Sequence, residues 1–299
     1  MDKTLRGAAE MSAAMTILGT IGFFVVLSGQ MAIDVVFWRC AFGALALLLI
    51  CALQGMLHRR ITFRQIAIAA LGGVAIVANW AMLFSAYGNV SIGVATAVYN
   101  TQPFILVGFG VLFLGERLSA ARLSWLSVAF LGVVLIVQAK PVGAAADGTN
   151  YTLGIALALG AAFFWAVAAL LAKKLNDMPP QLIALVQVCV GIVMLAPFVS
   201  WTSLPDDGVA WGALITLGAV HTGFVYILMY GAVQKLPTYL QGAFSFVYPV
   251  VAILVDYIAF GQALHFSQLL GAAAIILSAA GLTLGWTVFA GKTASKSAL

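Results

Sequence analysis

Long apolar stretches alternate with short polar breaks along the whole chain. Broken at Gly, Pro and charged residues, the apolar stretches fall at roughly 11–28, 33–53, 64–85, 91–114, 120–139, 152–172, 180–199, 209–231, 238–260 and 266–287. They last about 20 residues and do not alternate over about 10, which is the pattern of helices crossing a hydrocarbon core of about 30 Å rather than of barrel strands. Ten membrane-spanning helices are expected. The first is the shortest, and Lys3 and Arg6 precede it as they would a signal peptide. No small-x-small cleavage site follows cleanly, so it is read as a span.

Composition agrees with the pattern. Charged residues make up 8% of the 299 positions, against about 25% in a soluble domain. Such a chain cannot cover a water-facing surface with charge, and most of its outside must meet lipid. The net charge of +5 raises nucleic acid as a partner, but its distribution points elsewhere. All of the 14 Lys and Arg except Lys140 and Arg39 lie at the N-terminus, in even-numbered connections or at the C-terminus. That bias places both termini in the cytoplasm of a cell with a bacterial inner membrane. Cys40, Cys51 and Cys189 sit in apolar runs without CxxC or Cys/His spacing, and read as small core residues.

The chain repeats itself. At one shift of 146, Pro103 falls on Pro249, Gly115 on Gly261 and Leu118 on Leu264, and AYGNVSIGVATA (86–97) falls loosely on AVQKLPTYLQGA (232–243). The expected division is a first repeat over 1–139, a periplasmic linker over 140–151, a second repeat over 152–287 and a cytoplasmic tail over 288–299. Each repeat then holds five spans. Because five is odd, the second copy inserts upside down. Inverted repeats of this kind mark secondary transporters whose substrate sites lie between the halves near the midplane.

Polar residues inside the spans are the candidates for that site. Span four opens YNTQPF, and Pro103 there deprives the Tyr99 carbonyl of its helical partner. Asn100 and Gln102 add amides that lipid cannot satisfy, so this stretch is expected to border protein or a wet cavity. Ser245, Tyr248 and Pro249 repeat the device in span nine, across the cavity, with the two prolines as paired gating bends. Glu116 and Arg117, after Gly115, suit a helix end at the membrane interface and read as structural. Arg39 lies about 10 Å inside span two, and three roles suit it: receiving a substrate carboxylate bidentately, reaching out to Asp34, or capping backbone carbonyls. Asn79 and His221 are the other mid-span polar groups. For His221 a transported proton and a plain helix–helix hydrogen bond both stand. Trp165 and Tyr99 are the aromatics best placed to line a pocket. Glu10 lies too near Arg6 and the cytoplasmic edge for a coupling carboxylate, and Asp256 reads as interfacial.

On these residues the chain resembles the drug/metabolite transporter superfamily, in its ten-helix EamA-type branch. The resemblance rests on the paired proline-bearing spans followed by Leu-Gly-Glu-Arg-Leu at 114–118, weakened to Phe-Gly-Gln-Ala-Leu at 260–264. Arg39 matches a recurrent arginine of the family. Phe164-Trp165-Ala166 keeps its aromatic-glycine pattern with Ala for Gly, and span one keeps Ile21-Gly22 of it. Most narrowly, the chain is similar to exporters of aromatic and other amino acids. The resemblance implies an all-α membrane protein of two inverted five-helix repeats that moves a small molecule by alternating access. The partners implied are an amino-acid substrate and the bilayer, with a monomeric chain, no nucleic acid and no cofactor.

Other classes lack their residues. No GxSG surrounds Ser245 for a serine hydrolase, and three scattered histidines form neither HExxH nor a metal cluster. A channel filter is not visible. Another small metabolite or drug of the same superfamily remains the alternative. A sugar-nucleotide-like solute would ask for more intramembrane cations than Arg39. Facilitated efflux and proton exchange through His221 both remain open.

Overall fold

The computed structural model describes residues 2–87, 89–90, 95, 98–138, 150–202, 204–261 and 265–286. The linker 139–149, the tail after 286, residues 91–94 at the start of span four and Gln262–Leu264 of the repeat lie outside them. Every regular element among the described residues is helical: α1 (Lys3–Gly19), α2 (Ile21–Ser28), α3 (Ala32–Leu53), α4 (Phe63–Tyr87), α5 (Gln102–Leu114), α6 (Ala120–Gln138), α7 (Tyr151–Lys174), α8 (Pro180–Leu195), α9 (Gly208–Gly218), α10 (Val225–Lys235), α11 (Thr238–Ser245), α12 (Val247–Phe260) and α13 (Phe266–Leu284), with short 3₁₀ turns at Met56–His58 and Ala196–Phe198. Eight helical stretches are long and apolar enough to cross a membrane, and Gln102–Leu114 and Ala120–Ile136 are shorter apolar helices.

Local chemistry sets the ends. Asn150 and Asp207 accept from the backbone N–H of Leu153 and Ala210 at the starts of α7 and α9, as capping side chains do. Gly115 and Gly261, partners at the shift of 146, both adopt positive φ (67° and 64°) after α5 and α12, the left-handed stop that glycine takes without strain. The outward faces stay apolar: Leu112, Val193 and Ile258 are each at least 75% exposed, which suits lipid and not water.

Several spans are interrupted. Thr20 separates α1 from α2, and a π-helical turn, Ala219–Phe224, separates α9 from α10. Asn100 and Thr101 form a turn before α5, and Phe246 divides α11 from α12. The last two breaks correspond, since 100 plus 146 is 246. They correct the expected place of the prolines. Pro103 stands in the first turn of α5 and Pro249 in that of α12, where a missing N–H costs nothing because first-turn donors have no intrahelical partner. The chain breaks before each proline; it does not bend at it.

Packing is close and uses small residues. A methyl added at Gly132 would lie 2.7 Å from the Gly271 carbonyl oxygen, and one at Gly281 2.5 Å from the Trp125 ring. Ser278 donates to the Trp125 carbonyl at 2.5 Å. Contacts of 132 with 271 and of 125 with 278 mean that α6 and α13 run antiparallel. Likewise Gly242 packs on Pro103 and Gly110 on Thr238, so α11 runs antiparallel to α5.

Candidate functional site

Arg39 is the centre of the polar interior. Its residue is 2% exposed, and the guanidinium carbon sits 4.6 Å from the centroid of Trp80, on α4. Nε donates to Thr222 Oγ1 at 3.2 Å, and Thr222 donates in turn to the Leu217 carbonyl at 2.9 Å. The π-helical turn explains that second bond, because its wider ring brings residue 222 over the carbonyl five positions back. The expected alternative partner is occupied elsewhere: Asp34 accepts from the Ser200 backbone N–H at 2.9 Å. Among the described residues no carboxylate pairs with Arg39. Stacked on Trp80 and bonded through Nε, the guanidinium still presents the planar fork of N–H donors that suits a planar anion.

An aromatic row leads away from it. Trp80 meets Tyr226 edge-on at 6.2 Å, and Tyr226 meets Tyr230 at 5.3 Å. Tyr230 donates a hydrogen bond to Gln187 Oε1. The hydroxyls of Tyr226, Tyr248 and Tyr99 all lie within electrostatic reach of Arg39. Asn79 donates to Tyr99 Oη at 3.3 Å and to the Ala161 carbonyl at 2.7 Å, so spans three, four and six meet there. Trp165 and Tyr230 line a space of about 10 Å³ together with Ile76, Ala168, Met229 and Val233. That is room for about one water. That space is too small for an amino acid, and nearby helices meet closely, with Pro103 against Gly242.

Buried amide atoms remain without hydrogen-bond partners: Asn79 Oδ1 and Gln187 Nε2 in this region, and Gln102 Oε1 next to Pro103 in the chain. Each costs about 1–3 kcal/mol when buried dry, an expense that a ligand or water entering the space would relieve. Not every expected residue joins the cluster. Ser245 bonds back to the Gly242 carbonyl in its own helix, at 2.7 Å. Asn100 is buried at the break before α5. His221 lies on the far side of Thr222, against Thr20 and Phe24.

A second polar layer lies at the helix ends. Glu116 accepts from Lys173, and also from Thr238 through both its N–H and its hydroxyl. Glu10 pairs with Arg6 and with Lys235 at the end of α10. A larger surface pocket, about 350 Å³, is lined by Arg122, Trp125, Tyr239 and Trp286 among others and shares no residue with the Arg39 cluster.

A match to the EamA-like transporter family covers residues 6–138 and again 152–284. The chain belongs to that family. The relatives are distant. The chain is 28% identical over 277 residues to an uncharacterized transporter of Bacillus subtilis, covering 92% of this chain and 88% of the relative. It is 30% identical over 213 residues to a riboflavin transporter of Vibrio cholerae, covering 68% and 65%, and 26% identical over 214 residues to a probable amino-acid metabolite efflux pump of Escherichia coli, covering 67% and 70%. A solved crystal structure superposes with a TM-score of 0.82 at 19% identity, covering 93% of this chain and 98% of that one. The protein is thus a multi-pass membrane transporter with two EamA segments, and its relatives are named as transporters rather than enzymes.

Within this EamA transporter, sequence reasoning missed Trp80, Thr222, Gln187 and Thr20. Gln187 was open to discovery, since a glutamine inside an apolar span is costly unless used. Thr20 and Thr222 gave no signal, because threonine is common in spans and serves its own helix.

Proposed function

We propose that this transporter exports small metabolites, in particular amino acids including aromatic ones, across a bacterial inner membrane by alternating access between two inverted five-helix repeats. The observation that carries the substrate class is Arg39. It is a buried cation about 10 Å inside its span, unmatched by a carboxylate among the described residues and stacked on Trp80 at the head of an aromatic row. A substrate carboxylate would supply the missing charge, and a ring beside it would meet Tyr226 and Tyr230. The printed name of the Escherichia coli relative supports an amino-acid cargo.

The antiparallel register supports the inverted arrangement. The contact of Trp125 with Ser278 becomes that of Gly271 with Gly132 when each residue is exchanged for its partner at the shift of 146. A two-fold axis in the membrane plane would produce that self-pairing. Both termini would face the cytoplasm, with Tyr99, Asn100, Gln102, Asn79 and Trp165 lining the pathway once the halves part. The breaks before Pro103 and Pro249 would be the paired points of gating.

Uptake of a radiolabelled amino-acid panel into proteoliposomes tests the reading. Phenylalanine and other carboxylates should move, and Arg39→Gln should reduce their flux at least tenfold while folded yield is kept. Equal flux in wild type and Arg39→Gln would sink the carboxylate role. The aromatic row favours one second reading, a flat uncharged ring system such as riboflavin, in keeping with the Vibrio cholerae relative's name. Riboflavin flux insensitive to Arg39→Gln would select it.

A further inference from the structure

His221 is 1% exposed, in the π-helical turn Ala219–Phe224, and both ring nitrogens are engaged. Nδ1 lies 3.3 Å from the Thr216 carbonyl oxygen, and Nε2 lies 2.8 Å from Thr20 Oγ1. A carbonyl can only accept, so Nδ1 carries the hydrogen whenever that bond is made. In the neutral ring Nε2 is then bare, and Thr20 must donate to it. Yet Thr20 Oγ1 also lies 2.8 Å from the Ile17 carbonyl oxygen, and the hydroxyl has one hydrogen to give. Turned toward Ile17, it offers its lone pairs to Nε2, which must then carry a hydrogen too. The same heavy atoms therefore accommodate a neutral imidazole and an imidazolium, one hydroxyl rotation apart.

We propose that His221 is a proton-binding site of the transport cycle, with the Thr20 hydroxyl as its switch. A purely structural histidine needs partners for one protonation state; this one has them for both. The switch also sits where a change would be felt. Thr20 closes α1 and opens α2, and His221 stands in the π-helical interruption of another span, a kind of irregularity frequent at functional sites. Their bond joins the first EamA segment to the second.

The charges around the ring set its coupling. The helices α2 and α9 carry no ionisable residue. Packed alongside, α8 brings Cys189 and α10 brings the phenols of Tyr226 and Tyr230, with Lys235 at its far end on Glu10. From α3 comes Arg39, bonded to Thr222, the residue next to His221; Cys40 is its neighbour, and Asp34 is held by Ser200. No described carboxylate faces the ring. A proton on Nε2, taken from water when one side opens, thus adds positive charge beside Arg39. A carboxylate at Arg39 offsets that charge, so proton and carboxylate favour each other and leave together in export, driven by the outward gradient of the substrate. The coupling, unlike the proton site, rests on the proposed role of Arg39.

Full-length protein in nanodiscs, labelled with ¹⁵N-histidine and carrying His58→Gln and His265→Asn, isolates the His221 signal. At alkaline pH the expected spectrum shows Nδ1 protonated and Nε2 bare, and acidification protonates Nε2 as well. Thr20→Val removes the hydroxyl acceptor, leaving the Ile17 carbonyl beside the ring, and should lower the midpoint by about one pH unit, tenfold in proton affinity; Thr20→Ser should keep it. In proteoliposomes a pH gradient should alter phenylalanine flux in wild type and Thr20→Ser, and the pH at which it does so should fall by about one unit in Thr20→Val. A neutral ring protonated at Nε2, no protonation down to pH 4, equal midpoints in the two variants, or flux indifferent to the gradient in wild type would each overturn the proposal. Wild type alone decides the first two if Thr20→Val fails to fold. Expected titration with no amino-acid flux at all would remove the cargo reading and the transport role while leaving proton binding itself in place.

Discussion

Removing the charge of Glu116 should loosen one side of the protein by a predictable amount. The carboxylate lies past Gly115 at the end of α5, and Lys173 Nζ reaches its Oε1 at 2.7 Å. Thr238 donates its N–H (2.9 Å) and hydroxyl (2.7 Å) to Oε2 at the start of α11. Lys173 also holds the Leu236 carbonyl at 2.7 Å. One acidic group therefore ties together the ends of α5 and α7 and the beginning of α11. At an effective dielectric of about 20, charges 2.7 Å apart attract by roughly 6 kcal/mol, but desolvation takes back most of it. The two side chains are 20% and 14% exposed, so a net coupling of about 1–2 kcal/mol is expected.

A double-mutant cycle with Glu116→Gln and Lys173→Met, followed by thermal unfolding in detergent, reads that coupling; Gln retains an acceptor for Thr238, so the cycle isolates the charge. Acid gives an independent check. Burial pushes the Glu116 carboxyl up, but the hydrogen bonds from Lys173 and Thr238 and the Lys173 charge outweigh it, and its pKa falls below the usual carboxylate value. A group depressed in the folded state stabilises fully above its unfolded pKa, about 4.3 for Glu, and the benefit is lost as pH falls through the folded pKa. Wild type should therefore exceed Glu116→Gln in stability at neutral pH and converge on it in acid. Coupling within about 0.3 kcal/mol of zero, or a wild-type advantage unchanged by acid, would refute the reasoning. Should this contact close the pathway, losing about 1.4 kcal/mol makes the opened state tenfold more populated.

Other consequences are equally concrete. Gly132→Ala sets a methyl 2.7 Å from a backbone oxygen and should cost about 1–3 kcal/mol in thermal unfolding, whereas Gly108→Ala, with open space around it, should be neutral or better. Pro103→Ala restores no mid-helix hydrogen bond, because the helix begins at Gln102, so unfolding should shift by less than about 1 kcal/mol; a gain beyond that would mean the helix runs unbroken through Asn100. For topology, cysteine placed at Asp147 should label from outside intact spheroplasts and cysteine at Arg60 only after lysis; the reverse pattern would invert the protein.

The sequence alone carried the class and the skeleton. Twenty-residue apolar runs and too few charges for a wet surface follow from the cost of polar groups in lipid, and Lys and Arg on alternate connections from the positive-inside bias; both act on each segment separately. The repeat at 146 located Gly115 and Gly261 as matching helix stops, because a left-handed residue is a local demand. The same local logic selected Arg39, Asn79 and Tyr99 as intramembrane polar groups. It misplaced the prolines, since a proline inside an apolar run reads alike whether it bends a helix or starts a new one. Which partner each polar group takes was decided only by tertiary packing. Asp34 stands five residues from Arg39 yet belongs to Ser200, while Arg39 takes Trp80 and Thr222. Thr20 and His221 are 201 residues apart, and their shared bond depends on a break in one helix meeting a π-helical turn in another. Contacts between helices are set by the rotation and depth of both, and one-dimensional hydropathy contains neither.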